Sequence, residues 1–191
     1  MNTFFCRAFQ CCFAVGARFL PWRTPEVFSG EGSLLRAADI LRENGLHRPF
    51  VIASRRQCAD EHFRALQEEL DEQDILLSIF SSVEPNPSVE TVEKIAAQYK
   101  IDSCDCFLVI GGGSPMDVAK AVGVVAKYGG RIEEYEGAHK VPGKIVPLIA
   151  IPTTAGTGSE VTAFSVITDH RRDYKLTVFS YELLPACAIL D

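Results

Sequence analysis

"VIGGGSPMDVAK" (residues 109–120) sets three glycines in a row between an apolar run and a segment with helical spacing. A tight turn needs one glycine or two; three mark a place where something large approaches the backbone itself. Ser114 reads as a helix N-cap and Pro115 as the first helical residue. Asp117, three residues after the cap, completes a capping-box pattern with Asp in place of the usual Glu or Gln. A helix N-terminus offers unpaired N–H groups and the positive end of the helix dipole, which suits an anion. Glycines ahead of it let a pyrophosphate lie against the backbone. Taken alone, this loop also reads as a plain strand-to-helix turn. No G-x-G-x-x-G is present, and Lys120 is not in a G-K-[ST] context.

A second loop shifts the balance. "IPTTAGTGSEVT" (151–162) follows another apolar run and gathers Thr153, Thr154, Thr157, Ser159 and Thr162 around Gly156 and Gly158. Hydroxyls donate and accept, so such a segment matches ribose, phosphate and amide groups.

Outward from these loops the chain alternates. Helical spacing marks 33–44, ending at Gly45, then 58–73, 89–100 and 114–128. Short apolar runs at 49–54, 75–80, 106–110 and 143–151 read as strands, with further strands at "AFSVIT", "KLTVFS" and "ACAIL". "VEPNPS" (83–88) is a turn. The pattern predicts an α/β fold, a Rossmann-like parallel sheet flanked by helices. Ligands of such sheets bind beyond the carboxyl ends of the strands, where both loops fall.

Composition is that of a globular domain: 191 residues, 47% hydrophobic, 23% charged, net charge -6. The acidic balance argues against nucleic acid, and no uncharged apolar stretch is long enough for a membrane span. Seven cysteines without a C-x-x-C read as reduced small hydrophobes, which favours a reducing, cytoplasmic setting; Cys104 and Cys106 as a reactive pair is the alternative. The four histidines are scattered, and no complete metal site is visible. Residues 1–30 form an extension, read as an amphipathic helix or as a transit-like leader rich in Arg and free of acids before Glu26; residues 31–191 form the binding domain.

"PNPS", "GGGSPMDVAKA", "IPTTAGTGSEVT", "FSVITD" and "PACAILD" resemble, in order and spacing, the iron-containing (group III) alcohol dehydrogenases, from about residue 27 onward. Residues 19–34 further resemble the amino-terminal extension of one bacterial branch. The resemblance implies a dehydroquinate-synthase-like fold, here the N-terminal Rossmann-type domain with the all-helical C-terminal domain absent. It implies hydride transfer between NAD or NADP and an alcohol or carbonyl compound, with a bound Fe(II) or another divalent metal. By the same resemblance Gly112, Gly113, Ser114 and Asp117 lie along the pyrophosphate, and Asn86 approaches the adenosine side. Thr153, Thr154, Thr157 and Ser159 line the ribose and nicotinamide, and Lys175 reaches the nicotinamide ribose. Where the family often carries an Asp that binds the ribose 2′-hydroxyl, this sequence has Ser54 followed by Arg55 and Arg56, which leans toward NADP; both arginines facing solvent is the alternative. The family's metal ligands lie beyond the position matched by Asp191, so the chain is expected to hold half an active site and to have little activity alone. Relatives of the glycerol dehydrogenase and hydroxyacid–oxoacid transhydrogenase kinds, a non-catalytic nucleotide-binding module, and a homo-oligomer stay open as alternatives.

Overall fold

The computed structural model describes residues 23–191, with Arg7 ahead of them. The helix expected near the N-terminus therefore lies outside the described residues. Strands β1 (Glu26–Ser29), β2 (Pro49–Ile52), β3 (Ser78–Phe80), β4 (Cys106–Gly111), β6 (Leu148–Pro152) and β9 (Cys187–Leu190) form one sheet in the order β1-β9-β6-β4-β2-β3. Every pairing in it is parallel. The sheet thus takes in residues 26–29, ahead of the boundary at 31 expected from the sequence; pairing with β9 holds them.

Side chains alternate across this sheet with the two-residue period of a strand. Phe50, Ile52, Phe107, Val109, Leu148 and Ala150 pack on one face beneath α4 (Val89–Ile101) and α5 (Gly113–Tyr128). Val51, Leu108, Ile110, Ile149, Ile151 and Ile189 pack on the other against α1 (Arg36–Glu43) and α3 (Glu61–Glu72). Both faces are covered, which is why the central strands read as continuous apolar runs.

Two expectations are corrected, and the further strands find their sheet. The helix expected over 58–73 starts only at Glu61: Asp60 caps α3, and Cys58 ends a separate short helix, α2 (Arg55–Cys58), that was not expected. The strand over 143–151 begins only at Leu148, after Pro147, which has no N–H to give a ladder. The runs at 164 and 174 do not join the large sheet. They form an antiparallel hairpin, β7 (Phe164–Asp169) and β8 (Tyr174–Phe179), with β5 (Gly137–Ala138) as a third strand. Among the described residues no helix is long and apolar enough to cross a membrane, and Cys58, Cys104, Cys106 and Cys187 are free thiols. Burial pushes the Cys106 thiol up, and that of Cys187 to about 11, so both behave as apolar side chains.

Candidate functional site

From β2 the chain runs outward to β3 and then crosses back to β4 on the other side of β2. That reversal opens a crevice at the carboxyl ends of β2 and β4, the usual ligand site of an open parallel sheet. A cleft of about 760 Å³ occupies it, lined by Ser54, Arg56, Gln57, His62, Thr153 and Thr154 among others.

The glycine loop is tighter than expected. Helix α5 starts at Gly113, with Gly112 as an extended N-cap and no side chain capping it. Ser114 is thus inside the first turn, and the predicted capping box is absent. Pro115 is tolerated there because first-turn N–H groups have no helical partner to lose. Among the described residues the N–H groups of Gly113 and Ser114 find no acceptor, as the first N–H groups of a helix do not within the helix itself. None of the three glycines has a positive φ. A Cβ on Gly111 would lie 2.8 Å from Pro115 Cγ, and one on Gly112 would lie 2.9 Å from Thr154 Oγ1. At Gly113 the nearest atoms, Ser159 Oγ and Thr157 Cγ2, are 3.4 Å away. The first two glycines therefore serve the chain's own packing, and Gly113 is the one of the three where a Cβ would meet its neighbours at ordinary contact distance.

Asp117 turns away from the cleft. Its Oδ2 accepts from the Val166 N–H at 3.2 Å, and its carbonyl accepts from the Ser165 hydroxyl at 2.7 Å. Burial pushes its carboxyl up, against the pull of Lys120 and the Val166 N–H. One turn on, Lys120 is wholly buried. Its ammonium donates to the carbonyls of Ser159 and Thr162 (2.7 Å each) and Phe164 (3.0 Å), with Thr162 Oγ1 at 3.3 Å. Burial lowers it to about 8, while Asp117 and Glu160 oppose that shift. Sequence reading missed Lys120. Its signal was the three-residue spacing from Asp117, which puts both on one helical face.

At the end of β2, Ser54 caps α2 in a reciprocal box: the Gln57 N–H donates to Ser54 Oγ, and the Ser54 N–H donates to Gln57 Oε1. Gln57 Nε2 then donates to Thr153 Oγ1 at 2.9 Å, tying the loop after β2 to the loop after β6. Arg56 lines the cleft and Arg55 does not. His62 also lines it, with Nδ1 2.9 Å from Asp60 Oδ1; that carboxylate raises the imidazole above its ordinary value. Thr153, Thr154 and Thr157 are exposed at the rim, whereas Ser159 is buried with its carbonyl on Lys120. Asn86 and Lys175 meet directly: Lys175 Nζ donates to Asn86 Oδ1 at 2.8 Å. The two were expected at opposite ends of a dinucleotide. The 2.8 Å contact brings the two side chains together at one point on the surface.

A parallel sheet with a topological switch, an uncapped helix N-terminus at that switch and a hydroxyl-rich loop beside it define the Rossmann-like class of nucleotide-binding folds. The sequence profile described as iron-containing alcohol dehydrogenase matches residues 24–191, and the chain belongs to that family. It is 36% identical over 177 residues to the NAD-dependent methanol dehydrogenase of Bacillus methanolicus, covering 91% of this chain and 45% of that protein. Among solved structures it superposes on a 1,3-propanediol oxidoreductase with a TM-score of 0.84 at 29% identity, covering 89% of this chain and 45% of the other. The sulfoacetaldehyde reductase of Bifidobacterium kashiwanohense, solved in complex with NAD+, gives a TM-score of 0.81 at 33% identity, with 89% and 45% covered. The chain spans just under half the length of these relatives.

Proposed function

We propose that this chain is the cofactor-binding half of an alcohol dehydrogenase or aldehyde reductase. It binds a nicotinamide dinucleotide across the switch-point cleft, with a small alcohol or carbonyl compound as the partner in hydride exchange. The observation that carries the reading is the convergence of two loops on adjacent strands: Thr154 packs against Gly112 while Gly113 and Ser114 keep free N–H donors. The pyrophosphate rests on those donors, and Thr153, Thr154 and Thr157 supply hydroxyls along the rim. Asp117 and Ser159 act at one remove, Asp117 by tying α5 to β7 and Ser159 by accepting from the buried Lys120. Lys175 and Asn86 together meet the ribose on the nicotinamide side. The bound nicotinamide supplies the hydride chemistry, and the residues of this chain bind and orient it.

The relatives compared above include NAD-dependent and NAD-bound proteins; for this chain we favour NADP(H). No carboxylate stands at Ser54 itself, and Arg56 and His62 line the cleft for a 2′-phosphate, although Asp60, paired with His62, and Asp191 line it as well. Among the described residues no group of three or more His, Cys, Asp or Glu side chains is placed to hold a metal ion. These residues do not fit a metal centre; Fe(II) or another divalent ion would take its ligands elsewhere. The chain by itself turns over little or no substrate. The free thiols support a reducing, cytoplasmic setting.

Calorimetric titration of the metal-free chain with NADPH and NADH in parallel tests the reading. The expected result is binding of both, with NADPH about tenfold tighter, a difference of about 1.4 kcal/mol. Preference for NADH removes the role of Arg56 and His62 and keeps the site. Binding of neither by the folded chain overturns the reading.

A further inference from the structure

Residues 84–88 read Glu-Pro-Asn-Pro-Ser, and the two prolines deprive this turn of its ordinary closure. A bond from the Glu84 carbonyl across a four-residue turn needs an N–H at residue 87, and Pro87 has none. Asn86 lies between the prolines with φ 54°, in the left-handed region that Asn tolerates better than most residues. The turn has little of its own to hold it.

The Glu84 side chain closes it instead. Its Oε1 accepts from the Ser88 N–H and the Ser88 hydroxyl, both at 3.1 Å, and from the Thr91 hydroxyl at 2.5 Å. Ser88 Oγ in turn accepts from the Thr91 N–H at 3.2 Å, capping α4. Burial pushes the Glu84 carboxyl up, but these donors outweigh it and hold it below its ordinary value. From the other side, the Thr168 N–H of β7 donates to the Pro87 carbonyl at 2.8 Å. The turn is thus pinned between α4 and the hairpin, and its tip presents Asn86 to Lys175 on β8.

We propose that Glu84 is a positioning residue for the dinucleotide. By closing the turn on its carboxylate it sets the Asn86 amide where it receives the Lys175 ammonium, and so fixes that ammonium for the ribose on the nicotinamide side. The inference rests on the proposed function's placing of Lys175 and Asn86 at that ribose. An exposed lysine loses much side-chain entropy when a ligand orders it; an acceptor already holding it lowers that cost. Glu84 touches neither ribose nor Lys175, and its effect passes wholly through Asn86.

ADP and ADP-ribose differ by the second ribose, so their affinities separate this role from general support of the fold. In the full chain, Glu84→Ala is expected to weaken ADP-ribose about tenfold, the loss of one well-placed hydrogen bond, and ADP less than about twofold. Glu84→Gln, whose amide oxygen still accepts from Ser88, stays within about threefold of the parent for ADP-ribose. In a Lys175→Ala background Glu84→Ala adds nothing further, as coupled positions require. Should Glu84→Ala fail to fold, Glu84→Asp, one methylene too short to reach all three donors, carries the same comparison. Equal losses for both ligands, an unchanged ADP-ribose affinity, or full additivity with Lys175→Ala overturns the proposal. ADP-ribose binding no tighter than ADP in the parent chain also overturns it while leaving the nucleotide site in place, and a parent that binds neither overturns both.

Discussion

The inner face of α5 and the rim of the cleft spend their polar groups in opposite ways. On the inner face Asp117 and Lys120 are occupied by the chain itself, held to Val166, Ser159, Thr162 and Phe164. On the rim Thr154 and Thr157 stand exposed, and Lys175 holds a single acceptor. Motif residues a few positions apart therefore divide into those that build the site and those left free to meet a ligand. Substitutions on the inner face should cost stability, and those on the rim should cost binding.

The largest break in that contrast comes from Lys120→Met. It strands three carbonyls and leaves Asp117 without its nearby cation, so urea unfolding should show a loss of about 3–5 kcal/mol. The loss carries a pH signature. Lys120 falls from 10.5 when unfolded to about 8 in the fold. Between those values the unfolded chain binds more protons, so the lysine's contribution to stability rises with pH, by about 3 kcal/mol at most. The gap between parent and Lys120→Met should widen from pH 8 to pH 10.5. A constant gap would mean that the lysine keeps its ordinary affinity for protons.

Gly112→Ala comes next. Its Cβ would meet Thr154 Oγ1 at 2.9 Å, an overpacking cost of about 1–2 kcal/mol that a Thr154→Ala partner change should recover in a thermal melt. Gly113→Ala is the smallest in stability, since its nearest neighbours stand at 3.4 Å. Here the melt should barely move while NADPH affinity falls about tenfold, because the methyl group occupies the phosphate's approach to the helix N-terminus. Comparable melting losses at the two glycines would erase the distinction between builder and free position.

Much of this was legible in the sequence, for a physical reason. Parallel strands covered on both faces are short, uniformly apolar and bounded by turn residues, as at 106–110, so the large sheet and its ligand edge followed from pattern. The hairpin of β7 and β8 did not, because pairing partner and direction leave no mark on periodicity. Lys120 failed the phosphate-loop pattern and drew no other reading; its burial depends on carbonyls 39 to 44 positions later. Glu84 was hidden for a similar reason. A turn with two prolines is easy to recognise, but the group that closes it is a side chain, and side-chain closure has no composition signal. Asn86 and Lys175 were found separately and placed apart, since their contact crosses 89 positions.

The first strand and the last make a further point. Among the described residues β1 pairs with β9 alone, and both Asp191 oxygens take backbone N–H groups just after β1, those of Gly32 and Leu34, at 2.9 Å. Gly32 and Asp191 lie 159 positions apart. A contact so distant in the chain closes late, after the loop entropy between its ends has been met by the rest of the fold. During synthesis β1 emerges ahead of the other described strands and waits for β9, its partner in the sheet, with its backbone groups unpaired in the interval. The kinetic hazard of this sheet lies at the seam between β1 and β9, away from the site its motifs advertise.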